Sequence, residues 1–429
     1  GSMAARISLI TLLAAVAGLA HAAGAPTGLP LQPTRHVDFD TTQGTWMSLD
    51  LSPDGRTLVF DLLGDLYTLP VEGGEARRLT SGLPFDSQPV YSPDGASIAF
   101  LSDRSGAENV WIARADGTQP RQISFQDDHN TLISPEWSSD GRTIYVQHHQ
   151  SEGNAFELWS YRVDAAGPKQ VTLPFHAKPD QGSESWRHVL GATPSADGKY
   201  LYFAAHVGDF DYAKVPEWTI RRLDLATGAE NTIVSAPRSP RPDLSLGTAF
   251  RPRVAPDGRT LVYATRFDGR TALRVLDLVT QEDRLLAYPV QQDQLMSLPG
   301  QDLLPRYAFT RDAKALLITS DGGFERIDLA TGKSTPIPFK AHVALDVGPN
   351  LRVPIAQETG PVRARLIQDP LPSPDGRRIA FSALGKVYVM ELTRGATPRR
   401  LTSGDDPEFQ PSWSPDGRQL VYVTWTARD

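Results

Sequence analysis

The sequence contains no cysteine. That absence excludes a disulfide framework, a thiolate metal site, a cysteine nucleophile and a lipid-bearing N-terminal cysteine. His-x-His is also missing. His148 and His149 are adjacent, so on a strand they would face opposite sides and could not share one metal. The nearest approach to a Gly-x-Ser-x-Gly nucleophile elbow is Gly182-Ser183-Glu184-Ser185-Trp186, which lacks the second glycine. No catalytic, cofactor-binding or metal-ligating residue is therefore assigned. No stretch shows sustained helical periodicity capped at both ends, so almost no helix is expected after the N-terminal segment. The net charge of −7 argues against nucleic acid or an anionic membrane as the main partner.

The one long apolar run, Ile7 to Val16, falls short of the roughly 20 residues a bilayer requires. It follows Arg6 and precedes Ala20-His21-Ala22, the pattern of a secretory signal peptide cleaved after Ala22. Gly1-Ser2 ahead of Met3 reads as a cloning scar. Residues 1–22 are thus assigned to export, which places the rest in the periplasm or outside the cell with no membrane insertion.

What the chain has in quantity is glycine and proline, 35 of each, which suits many short turns. Ser92-Pro93-Asp94-Gly95 sets the pattern. Proline presets φ, the aspartate carboxylate accepts a nearby backbone N–H, and glycine takes a left-handed conformation. Near-copies centre on Asp54, Asp140, Asp197, Asp257, Asp312, Asp375 and Asp416, at intervals of 40, 46, 57, 60, 55, 63 and 41 counted through Asp94. A core unit of about forty residues, enlarged by insertions in the middle, signals a repeat array.

Within the second repeat four strands can be read, Ser87 to Tyr91, Ser97 to Ser102, Asn109 to Arg114 and Arg121 to Ser124. Four short antiparallel strands per unit make a β-propeller blade. The expected fold is all-β, with seven full units and an incomplete eighth that stops after Trp425. Residues 23–44 form an N-terminal segment and 45–429 the propeller. Tyr288 to Pro305 and Lys340 to Asp369 are read as loops. Tyr91, Trp137 and Trp413, each three residues before a turn Asp, are expected between blades. His36 to Asp40 alternates like a strand and is expected to serve as the outer strand of a closing blade shared with Gln419 to Trp425.

With Asp103-Arg104-Ser105-Gly106 and Arg399-Arg400-Leu401-Thr402 around it, this unit resembles the propeller repeat of TolB and of the prolyl oligopeptidase and tricorn propellers. More specifically, Trp46 to Tyr67, Leu285 to Gln291 and Pro361 to Arg365 are similar to secreted bacterial amidohydrolases with an N-terminal propeller. That resemblance implies a non-catalytic propeller that docks and gates a C-terminal metal-dependent barrel acting on small amide or peptide-like substrates. Zinc or another divalent metal would sit in that barrel and not in this segment. The alternatives are a TolB-like interaction module of the cell envelope, partnered by another protein, and the propeller of a prolyl oligopeptidase-type peptidase.

Five of the nine histidines, His148, His149, His176, His188 and His206, fall among Glu184, Asp209 and Asp211 in the most inserted repeats. Their spacing matches no ligand pattern, so they are read as polar residues on long loops rather than as a metal or substrate site. The repeated turn gives a direct test. Gly95→Val should lower stability by about 1–3 kcal/mol, since a β-branched residue is forced into a left-handed well. Asp94→Ala should cost about 1 kcal/mol for one lost hydrogen bond. Denaturation midpoints measure both, and two unshifted midpoints would mean the turn is misread.

Overall fold

A computed structural model describes residues 32–128, 130–150, 155–164, 167–172, 182, 185–210, 215–235 and 247–426. The export segment through Ala22, and His176, Glu184 and Asp211, lie outside them. No α-helix occurs among the described residues.

The Asp-Gly turn builds each blade from its first hairpin. Ser92 Oγ donates to Asp94 Oδ1 at 2.6 Å and accepts from the Ser97 N–H at 3.0 Å, while Asp94 Oδ1 takes the Ala96 N–H at 3.0 Å. The same closed set recurs at Ser52, Ser138, Ser195, Thr310, Ser373 and Ser414. In the fifth unit Ala255 replaces the hydroxyl residue, and the Thr260 hydroxyl supplies the bond to Asp257 from the other side at 2.8 Å. Gly95 sits at φ 73°, and a β-carbon there would lie 3.2 Å from Pro53 Cδ in the preceding turn. The turns therefore stack blade on blade, which is why glycine is needed twice over.

Among the described residues the repeats form seven four-stranded antiparallel sheets and one two-stranded sheet, and a three-stranded sheet lies beside them. The strands of the second unit run Asp86–Tyr91, Ser97–Ser102, Asn109–Arg114 and Arg121–Gln122. The chain divides into two compact units, one through Asn350 and one from Leu351 to Asp429.

Unit 1 holds the first six blades of a β-propeller. Neighbouring blades meet through buried apolar faces. Trp137 of blade 3, for example, packs with Val90 of blade 2 and donates its indole N–H to the Val90 carbonyl at 3.1 Å. Blade 6 closes on blade 1 in the same manner. The Leu49 N–H donates to the Arg306 carbonyl, Gly44 N–H to the Gly322 carbonyl, and Thr319 Oγ1 to the Met47 carbonyl. At this seam Phe60 of blade 1 meets Phe324 of blade 6 edge-on, with centroids 4.9 Å apart, and Phe339 packs against both.

Two strands outside the blades cover the seam. Phe339–Val347, within a segment read from sequence as a loop, is a strand instead. It leaves blade 6, runs parallel to Gly74–Glu75 on the outer edge of blade 1, and pairs along its other side with Arg35–Thr41. The register joins Arg35 to Val347 and Thr41 to Ala341. The N-terminal strand therefore does not complete a blade with Gln419 to Trp425. Its apolar residues Val37 and Phe39 face Leu345 and Val343 in the ladder. The sequence alternation announced a strand but carried no address for it.

Unit 2 contains the blade Gln368–Pro372, Arg378–Ala383, Lys386–Glu391 and Arg399–Arg400, followed by the hairpin Glu408–Trp413 and Leu420–Thr424.

The strap's exposed face is a ladder of imidazoles and carboxylates. His342 Nδ1 lies 2.8 Å from Asp40, and His36 Nδ1 lies 3.0 Å from Asp346. The Asp40 and Asp346 carboxylates raise the two histidines above the usual 6.5, and His342, with Lys340, holds Asp40 low. A raised histidine contributes stability in full below its unfolded value and loses it as pH rises through the folded one. Asp40 contributes above its ordinary range and loses it in acid. The strap is therefore held best between about pH 4 and 6.5. His342→Gln should lower the melting temperature at pH 5.5 and leave it nearly unchanged at pH 8.5. An equal drop at both pH values would show that the ion pair does not contribute.

Candidate functional site

Counting back from the turn Asp locates the residues at the centre of unit 1. Four positions before it stand Asp50, Val90, Glu136, Thr193, Arg253 and Ala308; six positions before it stand Ser48, Gln88, Ser134, Gly191, Arg251 and Arg306. At this second position Gln88, Ser134, Gly191 and Arg251 have φ between 50° and 63°, and the ladder register shifts there in blades 2 to 5. Each is a β-bulge that turns the inner strand and frees a backbone N–H. The preceding blade receives that N–H in three cases: Gln88 N–H donates to Asp61 Oδ2, Ser134 N–H to Gln88 Oε1, and Gly191 N–H to Gln147 Oε1.

The charged members meet across the ring. Arg306, on the approach to blade 6, reaches Asp50 of blade 1 at 2.5 Å and Glu136 of blade 3 at 3.0 Å. Arg253 of blade 5 reaches Glu136 at 2.6 Å and Thr193 of blade 4 at 3.3 Å. Arg251 reaches Asp302 at 2.7 Å, and Ser134 donates to the same carboxylate. Only the ring axis is shared by five blades, so these contacts fix the group there. Five of the six charged residues are buried and Arg253 is partly buried, three acids against three arginines. Burial opposes ionisation of Glu136, but Arg306 and Arg253 outweigh it and hold the carboxyl below its usual range. The Ser134 hydroxyl is engaged on both sides, donating to Asp302 and accepting from Arg251. The group seals the axis with matched charge.

Beside the axis a cavity of about 500 Å³ opens where the loop before blade 6 approaches blades 1 and 2. Trp46, Leu63, Phe85 and Leu298 supply apolar wall, and Asp61, Asp86 and Gln294 the polar part. Asp86 is taken by Arg104 at 2.8 Å. Asp61 accepts the Ser48 and Gln88 N–H groups, yet burial pushes it up to about 7. The loop read as Tyr288 to Pro305 is thus a wall of this cavity and also delivers Asp302 to the axis.

The described histidines of blades 3 and 4 form an aromatic stack. His148 lies on Trp159 with centroids 4.7 Å apart and meets the Tyr161 hydroxyl at 2.6 Å. His149 lies on Phe156 at 4.7 Å. His188 and His206 pack on Phe210 and bond the carbonyls of Gly208 and Glu217. Burial pushes His148 and His188 down to about 4, so both are neutral near pH 7. Among the described residues no group of three or more His, Asp or Glu is arranged to hold a metal. The axial charges were missed from sequence although they are visible there. Aligning the repeats on the turn Asp brings Asp50, Glu136, Arg253, Arg251 and Arg306 into two columns otherwise filled by small or neutral residues.

Glu136→Ala should cost about 3 kcal/mol, because it takes from Arg253 its carboxylate and leaves Arg306 with Asp50 alone. A depressed carboxyl contributes above its unfolded value near 4.3 and loses that contribution as pH falls through the folded one, so the deficit should shrink in acid. Chemical denaturation at pH 7 and pH 3.5 reads both effects, and a loss under 1 kcal/mol at pH 7 would refute the axial role.

The tricorn protease N-terminal β-propeller domain matches residues 50–214, from blade 1 into blade 4. The uncharacterized peptidase YuxL of Bacillus subtilis is 31% identical over 190 residues, covering 43% of this chain and 24% of its own length. Tricorn protease homolog 1 of Streptomyces coelicolor is 23% identical over 240 residues, covering 50% of this chain and 22% of its own length. The solved structure of a putative TolB from Agrobacterium tumefaciens is 17% identical with a TM-score of 0.45, covering 63% of this chain and 87% of that one. This chain thus spans about a quarter of the length of the two curated peptidase relatives it matches.

Proposed function

We propose that this chain is the non-catalytic propeller portion of a peptidase of the prolyl oligopeptidase or tricorn kind, exported to the periplasm, which docks a serine hydrolase domain and limits its access to peptide substrates. The observation that carries the reading is the 31% identity to a peptidase across 43% of the chain. The amidohydrolase reading raised from Trp46 to Tyr67, Leu285 to Gln291 and Pro361 to Arg365 has weaker support, because the curated relatives described above are peptidases. The geometry adds how access would be limited. With Arg306 and Glu136 3.0 Å apart on the axis, substrate would not pass through the ring of unit 1 and would reach a docked catalytic domain from its flank. The cavity by Trp46 and Phe85 lies on the loop-bearing side, where insertions offer contact to such a domain.

Fluorophosphonate labelling with a panel of aminoacyl coumarin amides tests this reading. The native gene product should take the label and cleave the amides in the presence of a chelator, and residues 23–429 alone should do neither. Hydrolysis that a chelator abolishes, with no label incorporated, would return the assignment to a metal-dependent amidohydrolase.

A further inference from the structure

Several buried acids of unit 1 are answered by an arginine. Arg306 serves Asp50 and Glu136, Arg251 serves Asp302, Arg266 serves Asp293, and Arg104 takes both oxygens of Asp86 at 2.9 and 2.8 Å. Asp61 is as buried as these, yet it makes no ion pair among the described residues. Its two oxygens accept the Ser48 and Gln88 N–H groups at 2.8 and 2.7 Å. A carboxylate offers about four acceptor positions, so capacity is left over. Burial raises its carboxyl, and no neighbouring cation lowers it again.

Asp61 also lines the cavity of about 500 Å³ beside the axis, a volume within the roughly 300–1,000 Å³ of small-molecule sites. The apolar walls there are held in place by their own bonds. Trp46 donates its indole N–H to the Gln301 carbonyl at 3.3 Å, and the Phe85 N–H donates to Asp103 Oδ1 at 2.8 Å. A β-carbon on Gly64 would lie 2.8 Å from Phe85 Cδ2, so glycine lets the phenyl ring pack over the hairpin and wall the cavity. Phe85 and Leu63 are half-exposed, which leaves apolar surface in water beside a buried acid.

Asp61 lacks a cation, and the walls offer apolar contact. A hydrated metal ion would answer the first and not the second, and a neutral apolar molecule would leave the carboxylate unpaired. An ammonium ion on an aromatic or aliphatic body answers both, and the faces of Trp46 and Phe85 attract its charge. We propose that this cavity is a binding site for a protonated primary amine, with Asp61 as its counter-ion and Trp46 and Phe85 packed on its apolar body. Amine binding is indifferent to which catalytic domain the protein carries.

Isothermal titration of the 1–429 chain with phenethylamine at pH 8, above the Asp61 value of about 7, should show saturable binding at one site. Phenethyl alcohol, the same body without the charge, should bind at least ~10-fold more weakly. Phe85→Ala should weaken phenethylamine by about 10-fold and leave the melting temperature nearly unchanged. Asp61→Asn should abolish binding. Because that variant also disturbs two backbone bonds, the alcohol comparison on the unaltered chain tests the charge by itself. Phenylalanyl-glycinamide binding at least ~10-fold more tightly than phenethylamine would support the site with a polypeptide amino terminus as the source of the amine, and the reverse ranking would support it with a free amine. No saturable heat with either amine, or equal affinities for phenethylamine and its alcohol, would overturn the proposal.

Discussion

The contact between Arg306 and Glu136 constrains everything else in unit 1. It joins blade 6 to blade 3, opposite members of a six-bladed ring, and so ties together elements that no hairpin or neighbour contact relates. A buried charge without its partner costs several kcal/mol, so the axis is stable only with all its acids and arginines in place. Those side chains arrive from inner strands whose depth is set by the Asp-Gly turns and whose aim is set by the bulges. An error in one blade's register would leave a charge unmatched several blades away. The axis thus converts a series of local hairpins into one structure with a defined number of blades.

The local level was legible in the sequence and the global level was not. The second and third strands of blade 2, read as Ser97 to Ser102 and Asn109 to Arg114, coincide with those observed. Those boundaries follow from turn chemistry and alternation, which act over a few residues. Ring closure depends on Phe60, Phe324 and Phe339 meeting across more than two hundred residues, and nothing in their own neighbourhoods distinguishes them from other core aromatics. The strap failed for the same reason. Phe339–Val347 alternates polar and apolar residues, but its partner strand lies at the other end of the unit. His148, His149, His188 and His206, read from sequence as polar residues on long loops, lie instead on the strands Thr143–Gln150, Arg187–Pro194 and Tyr200–Val207, and their stacking on Trp159, Phe156 and Phe210 had no linear signature.

Sealing and access are divided between the two ends of the ring. At the turn end Gly55, Gly95, Gly141 and Gly198 each lie close to a residue of a neighbouring turn. The Tyr288 to Pro305 loop both lines the cavity and sends Asp302 inward. A change in that loop would act on surface shape and on axial charge together.

The pairing of Arg35 with Val347 also decides how unit 1 can be handled as a building block. Antiparallel partners lie about 5 Å apart, so the chain enters and leaves the unit at nearly one point. A domain with coincident entry and exit can be spliced into a surface loop of a host without spreading the host's backbone. Tension applied through the two ends would peel the strap one pair at a time from that point, at low force, before any blade felt the load.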